Sequence, residues 1–333
     1  MVISRTPFRV SFFGGGTDYP VWYKKHGGAV IATSINKYCY VTCRVLPPFF
    51  KYNYRIRYTK QEHKKKIDQI KHPSVRECLK YLNFDKGIEM QHNADLPAMS
   101  GLGSSSAFTV GYLNSLYALQ GQMVDKKKLA MDAIYVEQKM IREAVGSQDQ
   151  TTAAFGGLNK IEFCGRDEIN VTPIIMDPKR LDRLQDNLLL FYTGIVRQAS
   201  SFALTQIGAT RKKVKELKGM MKLVDCAFKI LSDGRCPIDD FGKLLDDSWK
   251  IKRGLTRKIS NGKIDSIYEC AKKSGALGGK LLGAGGGGFM LFYAKSEDQP
   301  KIKLALKKLL HVPFRFENYG SQIIYKISDE LYQ

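Results

Sequence analysis

The sequence predicts an α+β fold arranged as two compact domains. The chain has 333 residues, which exceeds the size at which one hydrophobic core usually stops growing. Strand-like runs fill the first half without the regular strand and helix alternation of a parallel sheet, and helical periodicity dominates after about residue 192. We therefore place a domain boundary near residue 180, with an N-terminal domain at 1–180 and a C-terminal domain at 181–333.

The N-terminal half supplies most of the predicted strands. Runs rich in β-branched and aromatic residues, bounded by Gly, Pro and Asn, favour an antiparallel or mixed sheet. These runs are VISRTPFRVSFF (2–13), GAVIATSI (28–35), YCYVTCRVL (38–46), GIEMQHNA (87–94), LNKIEF (158–163), NVTPII (170–175) and NLLLFY (187–192). Apolar residues at helical spacing predict one helix over 107–119 and a second over 127–144.

The C-terminal half begins with helices. Helical spacing of apolar residues predicts a helix over 211–232, and a shorter helix is predicted over 263–273, after which Gly275 is a stop signal. The tail predicts a strand, a helix opened by Pro300 and two further strands, in the segments GGFMLFYA, VPFRFE and SQIIYKI. This alternation fits an α+β second domain.

The charge balance indicates partners that are anions. Lys and Arg number 53 against 32 Asp and Glu, which leaves a net charge of +21. A positive field of this size attracts nucleotides, phosphosugars or nucleic acid. The basic clusters at 64–66, 126–128 and 211–213 are scattered and lack the interleaved aromatic side chains that stack on bases. We interpret them mainly as solvated surface, and a basic RNA-binding protein stays open as an alternative.

Cysteine spacing and hydropathy bear on the compartment. The seven cysteines form no CxxC pair, and no His lies at the spacing of a zinc site. Residues 1–20 contain no apolar signal segment, and no run approaches 18 apolar residues. These features predict reduced thiols and a cytoplasmic protein that does not bind a membrane.

Three glycine-rich segments stand out, because glycine lets backbone N–H groups approach an oxyanion closely. They are FFGGGTD (12–18), SGLGSSSA (100–107) and LGAGGGGF (282–289), called here the first, second and third glycine segments. The third formally matches GxGxxG, but a strand-like run follows it where a dinucleotide site needs a helix. The nearest match to a Walker A loop, GALGGKL at 275–281, is one residue short and ends in leucine.

The second glycine segment lies in the run PAMSGLGSSSA (97–107), directly before a predicted helix. Backbone N–H groups at 101–106 could converge on phosphate oxygens, and the dipole of the helix would reinforce them. The serine hydroxyls could contact phosphate or Mg²⁺. A tight turn with a serine N-cap is the structural alternative.

Two acids and one arginine fit phosphoryl transfer to a hydroxyl group. That reaction needs a metal-holding oxygen, a cation for the transferring group and a carboxylate facing the acceptor. Glu137, Arg9 and Asp149 could supply these roles in that order. Each also has an ordinary structural interpretation, as a helix surface acid, a strand-edge charge and a helix cap.

Taken together, the motifs resemble those of the GHMP kinase superfamily. PFRVSFFGGGTD, PAMSGLGSSSA and LLGAGGGGF occur in the family's order near the start, middle and end of the chain, and GSQDQTTAAFGG (146–157) resembles the segment with its catalytic aspartate. The resemblance implies a two-domain GHMP kinase fold, with an N-terminal domain like that of a ribosomal protein and a ferredoxin-like C-terminal domain.

The resemblance also implies site residues, all carried over by motif position. Asp149 is expected to be the catalytic carboxylate, with Arg9 beside it in place of the lysine of some relatives, and Ser105 and Glu137 are expected to hold Mg²⁺. The expected ATP contacts are Pro97, Gly101, Leu102, Gly103, Ser104, Ser105 and Ser106. The acceptor contacts expected by motif position are Thr17, Asp18, Gly156 and Gly157. Independently of the resemblance, Arg197 and Arg44 are candidate donors to a phosphate on the acceptor, because arginine binds phosphate well.

The activity implied is that of an ATP-dependent sugar kinase. The first motif, ending GGGTDYP, looks most like the heptose kinase branch, which implies transfer to the anomeric hydroxyl of D-glycero-D-manno-heptose 7-phosphate to give the 1,7-bisphosphate. Other sugar kinases of the superfamily, for fucose or galactose, stay open. The expected partner is a small phosphosugar and not nucleic acid, and a homodimer is left open.

Overall fold

Two β-sheets with helices packed against them form the protein, as seen in a computed structural model. The structure describes residues 1–165, 168–195, 207–208, 213–256 and 258–327. The strands are β1 (Val2–Phe13), β2 (Gly28–Val45), β3 (Tyr54–Arg57), β4 (Gln61–Lys64), β5 (Ile88–Ala94), β6 (Leu158–Phe163), β7 (Ile169–Pro173), β8 (Leu188–Tyr192), β9 (Gly278–Leu281), β10 (Phe289–Tyr293), β11 (Leu310–His311), β12 (Phe316–Glu317) and β13 (Gln322–Lys326). The predicted α+β class is confirmed.

The helices follow the sequence prediction in part. They are α1 (Pro20–His26), α2 (Pro73–Tyr81), α3 (Ser104–Leu119), α4 (Lys126–Tyr135), α5 (Gln148–Phe155), α6 (Pro178–Asp186), α7 (Val214–Ser232), α8 (Asp240–Leu255), α9 (Gly262–Lys273) and α10 (Gln299–Ala305). The sequence prediction left out α1, α2, α5, α6 and α8. The first four have nine residues or fewer, and α8 is amphipathic but carries many charged side chains. None of the described helices is long and apolar enough to cross a membrane.

The long strand β2 organises the first sheet. It pairs with β1 along most of its length, with β5 through its C-terminal half and with β6 through its N-terminal half. The sequence analysis divides this strand in two at Asn36 and Lys37. The structure corrects this, because the register with β1 shifts there, so that Pro7 faces Tyr38 while Phe8 faces Ile35. A polar pair inside a strand therefore marks a bulge and not a turn.

The tail of the chain returns to the first sheet. Strand β13 pairs antiparallel with β1, and β12 pairs with β2 beside the bulge. The sequence analysis grouped both strands with the C-terminal half. Both strands therefore pair with the first sheet across the predicted domain boundary near residue 180. Pairing between strands so far apart in the chain leaves no local pattern in the sequence. The boundary itself stays a prediction.

The second sheet has the order β11-β8-β10-β9 and is antiparallel throughout. Helix α8 packs on β9, and α7 packs on α8 and β2. Aromatic contacts join the two sheets, because the ring of Phe241 in α8 lies 5.2 Å from that of Phe12 and 5.1 Å from that of Phe13, both edge-on. One hydrophobic core therefore runs from the end of β1 into the C-terminal half.

The second predicted helix ends earlier than its periodicity suggests. Helix α4 ends at Tyr135, and a π-helical turn over Val136–Met140 follows it directly. In this turn the N–H of Ile141 donates to the carbonyl of Val136. The wider turn is followed by non-helical chain up to α5. Such turns often mark functional sites, because they rotate one side chain out of the regular pattern.

Candidate active site

A cleft of about 310 Å³ opens where the three glycine segments meet. The end of β1 and the first segment form one wall, the second segment and the start of α3 form another, and the third segment completes it. Charged and hydroxyl side chains on the cleft surface are Arg9, Ser11, Asp18, Ser104, Ser105, Ser106, Glu143, Asp149, Lys252 and Lys280. A concave site with converging polar groups at the junction of two sheets is the usual form of a small-molecule site.

Glycine is required where the second and third segments touch. A Cβ atom on Gly101 would lie 2.7 Å from the carbonyl oxygen of Leu282, and a Cβ on Gly283 would lie 2.5 Å from the Cα of Gly101. Both residues also have positive φ, +82° and +72°. Side chains at these positions would push the two loops apart, so this glycine contact fixes the shape of the cleft.

The start of α3 faces the cleft without a side-chain cap. The N-cap residue is Gly103, in the left-handed conformation with φ +76°, and glycine has no side chain to occupy the first N–H groups of the helix. The alternative of a serine N-cap is therefore wrong. Because Ser104 and Ser105 line the cleft, the N–H groups of this first turn can bind an anion there, aided by the helix dipole.

Arg9 and Asp149 form a bidentate ion pair at the centre of the cleft. The Nε and Nη2 atoms of Arg9 donate to the two carboxylate oxygens of Asp149 at 2.7 and 2.8 Å. The Nη1 atom donates to the carbonyl of Gly101 at 2.8 Å, and the backbone N–H of Arg9 donates to the carbonyl of Leu102 at 3.0 Å. Arg9 is 5% exposed and Asp149 26%, so the arginine is buried while the carboxylate reaches solvent.

Asp18 is a buried carboxyl group in the same cleft. Its Oδ1 accepts from the N–H of Gly16 at 2.9 Å, and its backbone carbonyl accepts from the N–H of Ser147 at 2.9 Å. A Cβ on Gly146 would lie 1.9 Å from Oδ2, so only glycine fits opposite this side chain. Burial raises the pKa of Asp18, and the nearby charge of Asp149 raises it further.

Glu137 lies behind the second glycine segment, on the π-helical turn. The carboxylate is fully buried and accepts hydrogen bonds from Ser106 Oγ, at 2.9 Å, and from Gln150 Nε2. Its other oxygen, Oε1, has no hydrogen-bond partner among the residues that the structure describes. Burial raises the pKa of Glu137 to about 7, and the nearby carboxyl of Glu143 contributes.

The predicted metal ligands differ in position. Ser105 is exposed and lines the cleft, whereas Glu137 contacts the neighbouring Ser106. An unpartnered buried carboxylate oxygen behind the second glycine segment has the chemistry that suits a hard cation. The described part of the chain contains no cluster of three or more His, Cys, Asp or Glu that could hold a metal ion by itself.

Several predicted acceptor contacts lie elsewhere. Thr17 is buried, and its hydroxyl bonds to the carbonyl of Gly14 and to the backbone of Ala29, which closes the turn of the first glycine segment. Gly156 and Gly157 pack against the tail, since the N–H of Gly157 donates to the carbonyl of Glu317. None of these three residues lines the cleft, and we do not carry them forward as acceptor contacts.

Two predicted ATP contacts are also placed outside the cleft surface. Pro97 is exposed in the turn before the second segment, and the side chain of Leu102 is in the core, so only its backbone reaches the site. Of the arginines suggested for an acceptor phosphate, Arg44 pairs with Glu89 at 2.6 Å on the far part of β2, and Arg197 lies outside the described residues.

The sequence analysis missed two lysines that line the cleft. Lys252, in α8, and Lys280, in β9, are 5% and 2% exposed. Lys252 sits in the charged segment KIKRG, which reads as a solvated helix face. A signal did exist for Lys280, because it is the lysine of the near-match to a Walker A loop, GALGGKL.

Comparison with known families decides what this cleft is. The family GHMP kinases N terminal domain matches residues 71–157, which include the second glycine segment, Glu137 and Asp149. The family GHMP kinases C terminal matches residues 237–312, which include the lysines and the third segment. The chain belongs to the GHMP kinases. It is therefore an ATP-dependent kinase, which favours the kinase prediction over the RNA-binding alternative.

Individual GHMP kinases resemble the chain over most of its length. D-glycero-alpha-D-manno-heptose 7-phosphate kinase of Campylobacter jejuni is 27% identical over 92% of this chain and 93% of its own. The bifunctional fucokinase/GDP-fucose pyrophosphorylase of Arabidopsis thaliana is 26% identical over 71% of this chain, which spans only 23% of that longer protein. The crystal structure of a D-glycero-D-manno-heptose 1-phosphate kinase from Bacteroides thetaiotaomicron superposes with a TM-score of 0.80 over 98% of this chain, at 21% identity. The predicted two-domain GHMP kinase fold is confirmed.

Proposed function

We propose that the protein transfers the γ-phosphoryl group of ATP to the anomeric hydroxyl of D-glycero-D-manno-heptose 7-phosphate, which yields the 1,7-bisphosphate and ADP. The observation that carries the proposal is the Arg9–Asp149 pair beside an uncapped helix start, in a cleft large enough for a sugar. The choice of a heptose phosphate is supported by the Campylobacter relative, which matches nearly the full chain.

The nucleotide phosphates would lie along residues 101–106. Gly103 leaves the first N–H groups of α3 open, and the hydroxyls of Ser104 and Ser105 face the same space. These donors point at fixed positions before the nucleotide binds, so no reorganisation is needed when charge develops on the phosphates. Gly101 and Gly103 allow the close approach that a side chain would prevent.

Mg²⁺ would be held by Ser105 and Glu137 together with phosphate oxygens of ATP. When bound, the ion neutralises charge on the transferring group. The Oε1 atom of Glu137 has no hydrogen-bond partner in the described residues, and burial raises the pKa of Glu137. Both features are expected of a carboxylate that binds a cation in the complete site. Ser106 would keep Glu137 in place through its own hydrogen bond.

The acceptor would lie between Asp18 and Asp149. The hydroxyl oxygen forms a bond to the γ-phosphorus while the bond from that phosphorus to the β–γ bridging oxygen breaks, and Asp149 accepts the hydroxyl proton. Arg9 orients the Asp149 carboxylate with two hydrogen bonds and places a permanent positive charge next to the transfer. Asp18 lines the same space, and its carboxylate oxygens can accept hydrogen bonds from sugar hydroxyls.

Replacing Asp149 by Asn tests the catalytic assignment. Because the amide cannot accept the proton, kcat should fall by about a hundredfold to ten-thousandfold, while binding of an ATP analogue is retained. Product formation by ³¹P NMR and analogue binding by calorimetry measure the two effects. Asp247→Asn, at a side chain that is 57% exposed on α8, is the matched control. Near-normal turnover in a folded Asp149→Asn protein would exclude Asp149 as the catalytic carboxylate.

The acceptor itself is tested with a panel of sugars. The purified protein is incubated with ATP, Mg²⁺ and either heptose 7-phosphate, the unphosphorylated heptose, fucose, galactose or mannose, and phosphosugar products are identified by ³¹P NMR. We expect kcat/KM to be highest for heptose 7-phosphate. A preference for fucose would replace the proposed acceptor by that of the fucokinase relative, and the same site chemistry would still apply.

A further inference from the structure

Lys252 and Lys280 are two buried ammonium groups on the floor of the cleft, and the transfer chemistry described above uses neither. The Nζ atom of Lys280 donates to the carbonyl of Phe12 at 2.6 Å. The Nζ atom of Lys252 donates to the carbonyls of Leu281 and Gly283 at 3.0 and 2.6 Å. We call these two residues the lysine pair.

The lysine pair has donors to spare. An ammonium group carries three N–H donors, of which Lys280 uses one and Lys252 two in the described part of the chain. All three acceptors are backbone carbonyls, and the described residues offer the pair no carboxylate ion partner. Buried lysines are rare unless they are paired, because burial removes the hydration of the charge. The missing partner is therefore an anion that enters the cleft.

The charged groups around the lysine pair also indicate that an anion binds there. Burial lowers the pKa of Lys252 to about 7, and the positive charge of Arg9 lowers it further, while Asp18 acts in the opposite direction. Burial also lowers the pKa of Lys280, with contributions from Lys252 and Arg9. Two lysines and one arginine thus line the same cleft. Arg9 is already paired with Asp149, so an anion that enters the cleft would offset the repulsion between the two lysines.

The position of the lysine pair bears on which anion it binds, the phosphates of ATP or the phosphate of the acceptor sugar. Lys280 is bonded to Phe12, at the end of β1 directly before the first glycine segment, which carries Asp18. Lys252 lies close enough to Asp18 for its charge to be felt. The ATP phosphates already have donors at the start of α3. Lys280 is therefore next to the acceptor's part of the cleft, and Lys252 borders both Asp18 and the third glycine segment, where it donates to Gly283.

We propose that Lys252 and Lys280 form a subsite for a phosphate group, and that its ligand is the phosphate that the acceptor sugar already carries. This inference rests on the proposed function for the identity of the acceptor, but not for the existence of the anion site. It replaces Arg44 and Arg197 as candidates for that role. A purely structural role, in which the lysines only fasten the glycine loops, is the alternative to be tested.

The first test is steady-state kinetics of Lys280→Met and Lys252→Met. We expect KM for heptose 7-phosphate to rise at least about tenfold, while KM for ATP and turnover of the unphosphorylated heptose change little. The control is Lys250→Met, two positions from Lys252 on the same helix, where the side chain is 59% exposed. A rise in KM for ATP alone would assign the pair to the nucleotide, and equal loss with both sugars would indicate a structural role.

The second test does not depend on the acceptor. Binding of inorganic phosphate is measured by calorimetry on the full chain saturated with a non-hydrolysable ATP analogue, which occupies the positions of all three nucleotide phosphates. We expect binding to the wild type and to Lys250→Met, with at least about tenfold weaker binding to Lys280→Met. If phosphate binds only when ADP replaces the analogue, or binds all three proteins equally, the subsite does not exist as proposed. If no heptose is turned over and phosphate still binds through Lys280, the proposed acceptor fails and the anion site stands.

Discussion

At the scale of single residues, Arg9 connects the parts of the site. Its backbone is part of β1, its guanidinium holds both oxygens of Asp149, and its remaining nitrogen reaches the second glycine segment. A lysine could reach one of these partners but has no planar fork for a bidentate pair. Asp149, the proposed catalytic carboxylate, is thereby fixed to the second glycine segment through one side chain, and the position of each depends on the other.

Glu137 should make the metal-free protein less stable as pH rises. Its pKa is about 7 in the folded chain against an ordinary value of 4.5, so between these values the folded state holds a proton that the unfolded state releases. Stability therefore falls from pH 4.5 to pH 7 and stays lower above pH 7. Glu137→Gln removes this effect and should be more stable than the wild type by on the order of 3 kcal/mol at pH 8, with little difference at pH 4.5.

Urea unfolding at a series of pH values, without Mg²⁺, measures this difference. Glu269→Gln, at an exposed position of α9, is the control and should follow the wild type at every pH. A difference between wild type and Glu137→Gln that does not vary with pH would mean that Glu137 is not buried as an acid. Addition of Mg²⁺ and ATP should stabilise the wild type more than the variant.

At the scale of elements, the site is built from loops that are held by regular structure on both sides. The second glycine segment leads into α3, the third connects β9 to β10, and their glycines touch. The π-helical turn after α4 directs Glu137 inward, behind the start of α3. Each loop begins or ends at a buried strand or helix, which limits its motion and keeps the anion-binding N–H groups in fixed positions.

Gly283→Ala tests the contact between the second and third segments. The added Cβ would lie 2.5 Å from the Cα of Gly101 at a residue with φ +72°. We expect a loss of about 1–3 kcal/mol in the free energy of unfolding and at least tenfold weaker ATP binding, because the cradle must open to admit the methyl group.

A second alanine substitution separates this effect from the general effect of removing a glycine. Gly254 lies inside α8, where an added Cβ meets nothing within 4 Å in the described residues, so Gly254→Ala should leave ATP binding unchanged and stability equal or slightly higher. Calorimetry and thermal unfolding provide both readouts. Unchanged nucleotide affinity in Gly283→Ala would show that the loops do not need this close approach.

At the scale of the whole molecule, both hydrophobic clusters contain residues from the two halves. Phe241 in α8 packs on Phe12 and Phe13 at the end of β1, and strands β12 and β13 return from the C-terminal end to the first sheet. The cleft lies at this junction. The shape of the cleft therefore depends on how firmly the two halves are joined. Residues from the N-terminal and C-terminal parts of the chain meet there.

Phe241→Ala should destabilise both halves together. Truncating a fully buried phenylalanine in a core typically lowers the free energy of unfolding by about 3–5 kcal/mol. The chain has two tryptophans, Trp22 in α1 and Trp249 in α8, so Trp22→Phe and Trp249→Phe proteins report on one half each by fluorescence. We expect the same denaturant midpoint from both reporters, shifted equally by Phe241→Ala. A shift seen by Trp249 alone would mean that the halves unfold independently.

The α+β class, most strands and the helices α3, α7 and α9 could be predicted from the sequence, because alternation and helical spacing of apolar residues are local patterns. It also indicated the phosphate loop, since a glycine run before a helix has a direct physical meaning. Asp149 and Glu137 were named from their chemistry and their motif positions. The structure places Asp149 in the cleft and Glu137 directly behind it.

Tertiary contacts determine which distant residues share the cleft. The bulge in β2, the return of the tail to the first sheet and the meeting of Lys252 with Lys280 depend on contacts between segments far apart in the chain. A lysine in a charged helix and one in a short strand look ordinary in sequence. Their burial, and the lowered pKa that follows from it, arises only when both sheets close over them, because burial depends on the folded environment and not on neighbours in the chain.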